Sequence, residues 1–455
     1  MRLALSGLVG LGRRTVTGLL MTSGQAFEDW TAAYRVFARE RFDADALFAV
    51  VRSDLLAQLP PEAPYVVHVD DTLAHKTGAK IHGVSYRRDP LGPAFQTNLI
   101  RAQRFLQMSA TLPYGPGASE ASVIPIDFVH APTPPKPKKD AGDEQWKAYK
   151  EKRKATALPR VAAQRLAHLR TWLDAQPGGP ERRLWEVGDG GYTNATTLKG
   201  LPERTVFIGR IRRDAKLYYL PSAEDDAGKG RKRTYGRRAP TPEAIRKDDT
   251  VLWQEVTLWA AGKLHVCRVK KAGPFRSRMA GVRCTLQLVV IAPLGYRPRK
   301  GSRLLYREPA YLICTDPAMP VEVILQAYAW RWGIEVNHRD EKQLIGVGQA
   351  QVRTPKATAN VPALLVAAYA MMLLAARQAY GHAPIPDALP RPKWQHDKGR
   401  THASTAQLIQ HVRAELWGRA LGVTHFSRFA SRPTAHANAQ KCRPRLDDAV
   451  LYPAT

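Results

Sequence analysis

The chain has 455 residues, room for one large or two to three ordinary domains, and its 44% hydrophobic content excludes wholesale disorder. Lys and Arg number 69 against 40 Asp and Glu, a formal charge of +29 that calls for a polyanionic partner, most simply nucleic acid. Cys267, Cys284, Cys314 and Cys442 are far apart with no Cys-x-x-Cys, so neither a zinc site nor a disulfide framework is indicated and a reducing cytoplasm fits.

Residues 1–64 read as helical. Asp43 stands as an N-cap before the apolar run 46–51, and Pro60 and Pro61 close the segment. Small helical modules with exposed Arg often bind DNA; packing without DNA contact is the alternative. Tyr65 to Thr72 is an apolar run ending in Asp70 and Asp71, as expected of a central strand whose end holds two acids. A turn with Lys76 and Lys80 follows, then a hairpin strand from Ile81 to Tyr86. Ala121 to Val129 is a further strand, where Pro125 predicts a bulge or an edge.

The Pro-Lys stretch 134–139 reads as extended, and Trp146 to Lys154 as a basic helix. Val161 to Ala175 carries Leu166, Leu169 and Leu173 at amphipathic spacing. Arg183 onward is a strand ending in Asp189, followed by Gly190 and Gly191, which permit a close backbone approach. Asp189 alone could equally cap a turn. Thr205 to Gly209 is another strand.

From Arg210 to about Pro317 the chain changes character. Runs rich in β-branched and aromatic residues, at 251–259, 264–269, 284–291 and 311–315, predict an antiparallel β subdomain. It holds basic loops at 210–213 and 229–233. The longest apolar run, Val361 to Ala376, holds Pro362 early and ends at Arg377. That is shorter than a bilayer span needs; a buried helix and no membrane partner are expected. A Pro-rich linker, His382 to Pro392, precedes a helix capped by Ser404, and the last thirty or so residues are basic and loop-like.

The most informative stretch is Tyr328 to Lys342, read as one helix. At about 100° per residue, Tyr328, Arg331, Glu335 and Lys342 fall at about 0°, −60°, −20° and −40°, on one stripe. Leu325, Trp332 and Val336 fall on the adjacent, core-facing stripe. Asp340 and Glu341 point elsewhere and are weaker candidates, as are His68 and His75.

The spacing Y-x2-R-x3-E-x6-K resembles the signature of a branch of bacterial insertion-sequence transposases with an RNase H-like DDE catalytic domain. All four positions match, Trp332 after the Arg fits too, and the resemblance covers roughly residues 65 to 375. It implies an α/β fold: an RNase H-like catalytic core with an antiparallel β-rich insertion and helical N- and C-terminal regions. The expected divisions are 1–64, 65–209, 210–317, 318–380 and 381–455. The implied function is metal-dependent cleavage and strand transfer at insertion-sequence ends.

Asp70, Asp71, Asp189 and Glu335 supply hard oxygen ligands of the kind Mg²⁺ or Mn²⁺ prefers. Two such ions about 4 Å apart can activate a water or 3′-OH and stabilise the leaving oxygen. Sequence leaves open which of Asp70 and Asp71 binds metal. Tyr328, Arg331 and Lys342 are the expected contacts to DNA-end phosphates, and Trp332 or Trp253 could stack on an extruded base or pack in the core. Expected partners are double-stranded DNA, as terminal inverted repeats and target, and a second copy assembled on it, in a cytoplasmic, nucleoid-associated setting. The rivals are a catalytically inactive DNA-binding descendant and an RNase H-like nuclease that does not join strands.

Overall fold

The computed structural model describes residues 1–39, 41–90, 92–93, 96–115, 117–222, 232–299, 301–381, 389, 402–422 and 450. The Pro-rich linker, the basic tail, Cys442 and most of the 229–233 loop lie outside them.

Four short helices open the chain: α1 (Arg2–Val9), α2 (Val16–Thr22), α3 (Trp30–Ala38) and α4 (Ala44–Ala57). Thr15, Asp29 and Asp43 cap the last three by accepting from first-turn amides. Leu8, Leu19, Phe48, Val51 and Leu55 join the main core with Val67 and Leu106 rather than forming a core of their own.

Next come β1 (Tyr65–His75), β2 (Ser85–Arg88), β3 (Leu99–Pro113) and β4 (Ala121–His130). β1 runs on through residues read as a turn, and its hairpin partner is not 81–86 but β3, which sequence did not reveal. β3 is covered along both faces over most of its length, so it lacks the alternation that marks a half-exposed strand. Pro125 sits where both expectations meet. β4 pairs only with β3, and the register slips between Met108 and Ser109.

The basic helix α5 (Asp143–Ala155) buries nothing, whereas α6 (Leu158–Asp174) buries Leu166, Leu169 and Leu173. β5 (Leu184–Gly188), α7 (Ala195–Lys199) and β6 (Thr205–Arg210) follow. The insertion supplies β7 (Tyr218–Tyr219), α8 (Pro242–Lys247), β8 (Gln254–Ala260), β9 (Lys263–Ser277), β10 (Gly281–Ile291), β11 (Gly295–Tyr296), β12 (Leu305–Tyr306) and β13 (Ala310–Cys314). Ala261 and Gly262, both at positive φ (52° and 78°), make the two-residue turn between β8 and β9.

One 11-stranded sheet runs β2-β3-β1-β5-β6-β13-β10-β9-β7, with β4 beside β3 and β8 beside β9. β3 and β4 are antiparallel to their neighbours, and β1, β5 and β6 are mutually parallel. The insertion therefore continues the core sheet through the β6–β13 pairing instead of packing as a separate β body. Among the described residues, β11 and β12 alone stand apart, as a two-stranded hairpin.

α9 (Val321–Trp330), α10 (Trp332–Gln343), α11 (Pro355–Tyr380) and α12 (Thr405–Ala420) complete the fold. Ser404 caps α12 in a reciprocal capping box with Gln407. α11 is longer than the apolar run in its sequence. By length and composition it could cross a membrane, yet 61% of its apolar window is buried inside the protein. It packs on β4 and on α1, α3 and α4.

Candidate active site

Strand pairing brings the first acids together. β1 and β5 run parallel in the register Val69↔Gly188, so the next positions, Asp70 and Asp189, are neighbours where β5 ends. Alternation then separates Asp70 from Asp71. Val66, on the face of Asp70, packs with Ile324 and Leu325 of α9. Val67 and Val69, on the face of Asp71, belong to the other core with Tyr192.

Each acid has a distinct environment. Asp70 Oδ1 accepts from the Asp71 amide at 2.8 Å, and its side chain is 21% exposed. Burial, and then the charges of Asp189 and Asp71, push its carboxyl up to about 7. Asp71 accepts from the Tyr192 hydroxyl at 3.3 Å; burial raises its pKa against the pull of the Arg104 guanidinium. Asp189 does cap a turn: Oδ1 accepts from the amides of Gly191 (2.8 Å) and Tyr192 (3.3 Å). Among the described residues nothing donates to its other oxygen. Tyr192 and Arg104 were missed by sequence reasoning, because Arg104 lies on the unread strand β3.

The helix carrying Glu335 is not the single helix expected. α9 ends at Trp330 and α10 begins at Trp332, with Arg331 as both the last cap and the first. The Arg331 and Ile334 amides reach back only three residues, to the carbonyls of Tyr328 (3.3 Å) and Arg331 (3.1 Å). This tight turn shifts the phase of everything after it. Trp332 is 59% exposed rather than core-facing, and the buried face of α10 is Ile334, Asn337, His338, Asp340 and Glu341. Asp340 and Glu341 thus point inward, not merely off the stripe.

α10 docks on a polar strip. Asn337 donates to Ser109 Oγ (3.2 Å) and to the Val123 carbonyl (3.1 Å), and His68 Nε2 bonds Thr111 Oγ1 at 2.6 Å. Burial drives His68 down to about 3 and raises the Glu341 carboxyl to about 8, so both are neutral near pH 7. Gly333 fits against β4 so closely that a Cβ there would stand 2.4 Å from Val123 Cγ2. Farther along, the buried Lys76 donates to the carbonyls of Gly348 and Ala350 at 2.5 and 2.6 Å, tying the chain after α10 to the end of β1.

Arg331 links the two sides of the site. Its Nη2 lies 2.8 Å from Glu335, its Nη1 4.0 Å from Asp70, and its guanidinium sits 5.6 Å from the ring centre of Tyr328. Lys342 keeps an exposed surface, yet desolvation lowers its ammonium's pKa against the opposing pull of nearby acids, Asp89 and Asp70 among them. Trp253 is not free to stack on a base, because Lys270 and Arg268 lie 4.7 and 5.5 Å from its ring centre. A cavity of about 1050 Å³ opens beside Asp189, Tyr328 and Arg331 and extends past Arg210, Arg213 and Arg278 of the insertion.

Among the described residues, no three His, Cys, Asp or Glu side chains are grouped so as to hold a metal ion. The donor chemistry nevertheless fits a hard divalent cation. Asp70 is destabilised by the carboxylates around it, and the Arg331 guanidinium lies between Asp70 and Glu335, the position of an internal counter-ion.

Residues 1–270 match a family model described as DDE superfamily endonuclease. The matched span includes Asp70, Asp71 and Asp189 and stops short of Glu335. No curated protein matches the chain.

Proposed function

The chain belongs to the DDE superfamily endonucleases, and from that premise we propose that it is a DNA transposase. It cuts and joins strands at the inverted-repeat ends of its own element, as a dimer assembled on those ends. The observation that carries this reading is the parallel β1–β5 register, which sets Asp70 beside Asp189 while Arg331 spans Asp70 and Glu335. The strand order β4-β3-β1-β5-β6, antiparallel then parallel, supports an RNase H-like core.

In this reading Asp70, Asp189 and Glu335 are the residues that would hold Mg²⁺ or Mn²⁺. Asp71 lies on the other face of β1 and is held by Tyr192, positioning its neighbour. Bound metal would supply charge stabilisation and an activated water or 3′-OH. The chain's own residues do the rest. Arg331, beside both Asp70 and Glu335, would present its planar fork to a phosphate. Tyr328 backs that guanidinium, and Lys342 adds a point charge from the far end of α10. The cavity's arginines line the approach.

The test is a Mg²⁺-dependent assay on DNA carrying the genomic flanks, reading cleavage and joining separately. Glu335→Gln keeps shape but removes the charge; it is expected to abolish both while leaving DNA binding intact. Cleavage without joining by the unmodified chain would leave an endonuclease and overturn the transposase reading. Full cleavage by the variant would remove Glu335 from the site.

A further inference from the structure

Between β10 and β13 the chain leaves the large sheet and makes the small β11–β12 hairpin, paired Gly295↔Tyr306 and Tyr296↔Leu305. No residue from 292 to 307 takes part in any of the hydrophobic clusters formed by the described residues. The segment nonetheless carries Arg297, Arg299, Arg303 and Arg307, all exposed. None of the four pairs with a carboxylate among the described residues. Apolar side chains are exposed alongside them: Tyr306 at 67%, Leu304 and Leu305 at 40% and Tyr296 at 39%. A tip turn is closed by hydrogen bonds between Arg299 and Ser302, with Gly301 at φ 82°.

Such a hairpin contributes nothing to the core and is costly to leave in water. A two-stranded ribbon with no sheet behind it is also only marginally stable alone. Both properties are met by a partner that is anionic, presents thymine methyl groups among its base edges and takes a ribbon of this width. The major groove of B-form DNA, about 12 Å wide, admits a two-stranded ribbon. The hairpin's position agrees, since Glu308 and Pro309, just beyond it, line the cavity that opens on Asp189 and Arg331.

We propose that the β11–β12 hairpin is a DNA-binding arm that enters the major groove of the duplex next to the scissile phosphate. Its arginines contact the phosphates flanking the groove, and Tyr306 and Leu305 lie toward the base edges. The inference rests on the reading that duplex DNA is the substrate.

The experiment uses the full chain and a variant carrying Arg297→Ala, Arg299→Ala, Arg303→Ala and Arg307→Ala together. Both are titrated with a duplex carrying the element's flank across roughly 50–200 mM salt. The variant is expected to melt with the unmodified chain, bind at least about tenfold more weakly at the low-salt end, and show a log K against log salt slope shallower by up to about 3.6. On the unmodified chain, guanine N7 methylation protection should appear beside the cleavage point and vanish in the variant. This probe reads the major groove directly. Unchanged slope and unchanged protection would overturn the arm while leaving DNA binding in place. Equal affinity for an RNA duplex of the same sequence would also overturn it, because the A-form major groove is too deep and narrow to enter. Failure of the unmodified chain to bind any duplex would instead remove the underlying reading.

Discussion

Both halves of the long sheet rivet a buried lysine to backbone carbonyls, Lys76 in the core half and Lys270 in the insertion half, but they differ in the acids they bury. In the insertion half, Lys270 on β9 is fully buried, and its ammonium donates to the carbonyls of Arg246 (2.9 Å) and Asp248 (2.6 Å). Those carbonyls end α8, where the helix dipole also favours a cation. The charge is satisfied, and the lysine acts as a rivet. In the core half, Asp70 is crowded by like charges, and Glu186 on β5 is buried with neither carboxyl oxygen hydrogen-bonded. Unsatisfied acids are expensive structure. They collect in the half that carries Asp70, Asp189 and Glu335, whereas the insertion half carries exposed arginines, Arg297, Arg299, Arg303 and Arg307, that meet no carboxylate among the described residues.

The sharpest way to break that contrast is on β1. Asp70→Asn should reduce Mg²⁺-dependent cleavage to background with duplex affinity essentially unchanged. Asp71→Asn, on the opposite face, should lose only about 10- to 100-fold, the range for a group that positions a ligand. Reversed outcomes would assign the metal to Asp71. An equal loss of affinity in Asp70→Asn would erase the division of labour between the halves.

The next effect concerns how α10 is seated. Gly333→Val places branched atoms where Val123 already stands, and should cost about 1–3 kcal/mol by overpacking. Because Glu335 is two residues on, cleavage per folded molecule should fall as well. A variant that melts lower but cuts normally would show that Glu335 tolerates displacement of its helix.

The smallest effect is a pH dependence. Burial raises Glu186 in the folded chain to about 8, far above an unfolded glutamate near ~4.3. Between those values the folded state holds the extra proton, so stability is full at low pH and declines as pH rises toward 8. Glu186→Gln should lessen the decline in melting temperature over that window, leaving the share due to Asp70 and Glu341, and stabilise the chain most at its upper end. An unchanged profile would mean that Glu186 finds a partner on folding.

Much of this was legible in the sequence where one residue's chemistry met a short-range pattern. The apolar run leading into Asp70 and Asp71, Asp189 before two glycines and the Ser404 cap all depend on neighbours within a few positions, although β1 runs on past its acids to His75. What was illegible depends on partners far along the chain. β3 shows no alternation because both its faces are buried over most of its length, and with it went Arg104. The helix arithmetic through Arg331 assumed a uniform turn, and a single tight turn moved Trp332 from the core into solvent. Lys76 read as a loop lysine, since its two carbonyl partners lie more than 270 residues away. The β11–β12 arm has no core signature to find.

The interruption at Arg331 has a mechanical consequence. α9 rests on β8 and β6 at the insertion side, while α10 rests on β4 and β1 at the core side. A continuous helix laid across both would be a stiff beam, fixing Glu335 at whatever angle the insertion adopts. With the beam cut at one residue, each half keeps its own bearing. The elbow between them is the same arginine that spans Asp70 and Glu335, so a phosphate or cation that draws on this side chain acts directly on the joint.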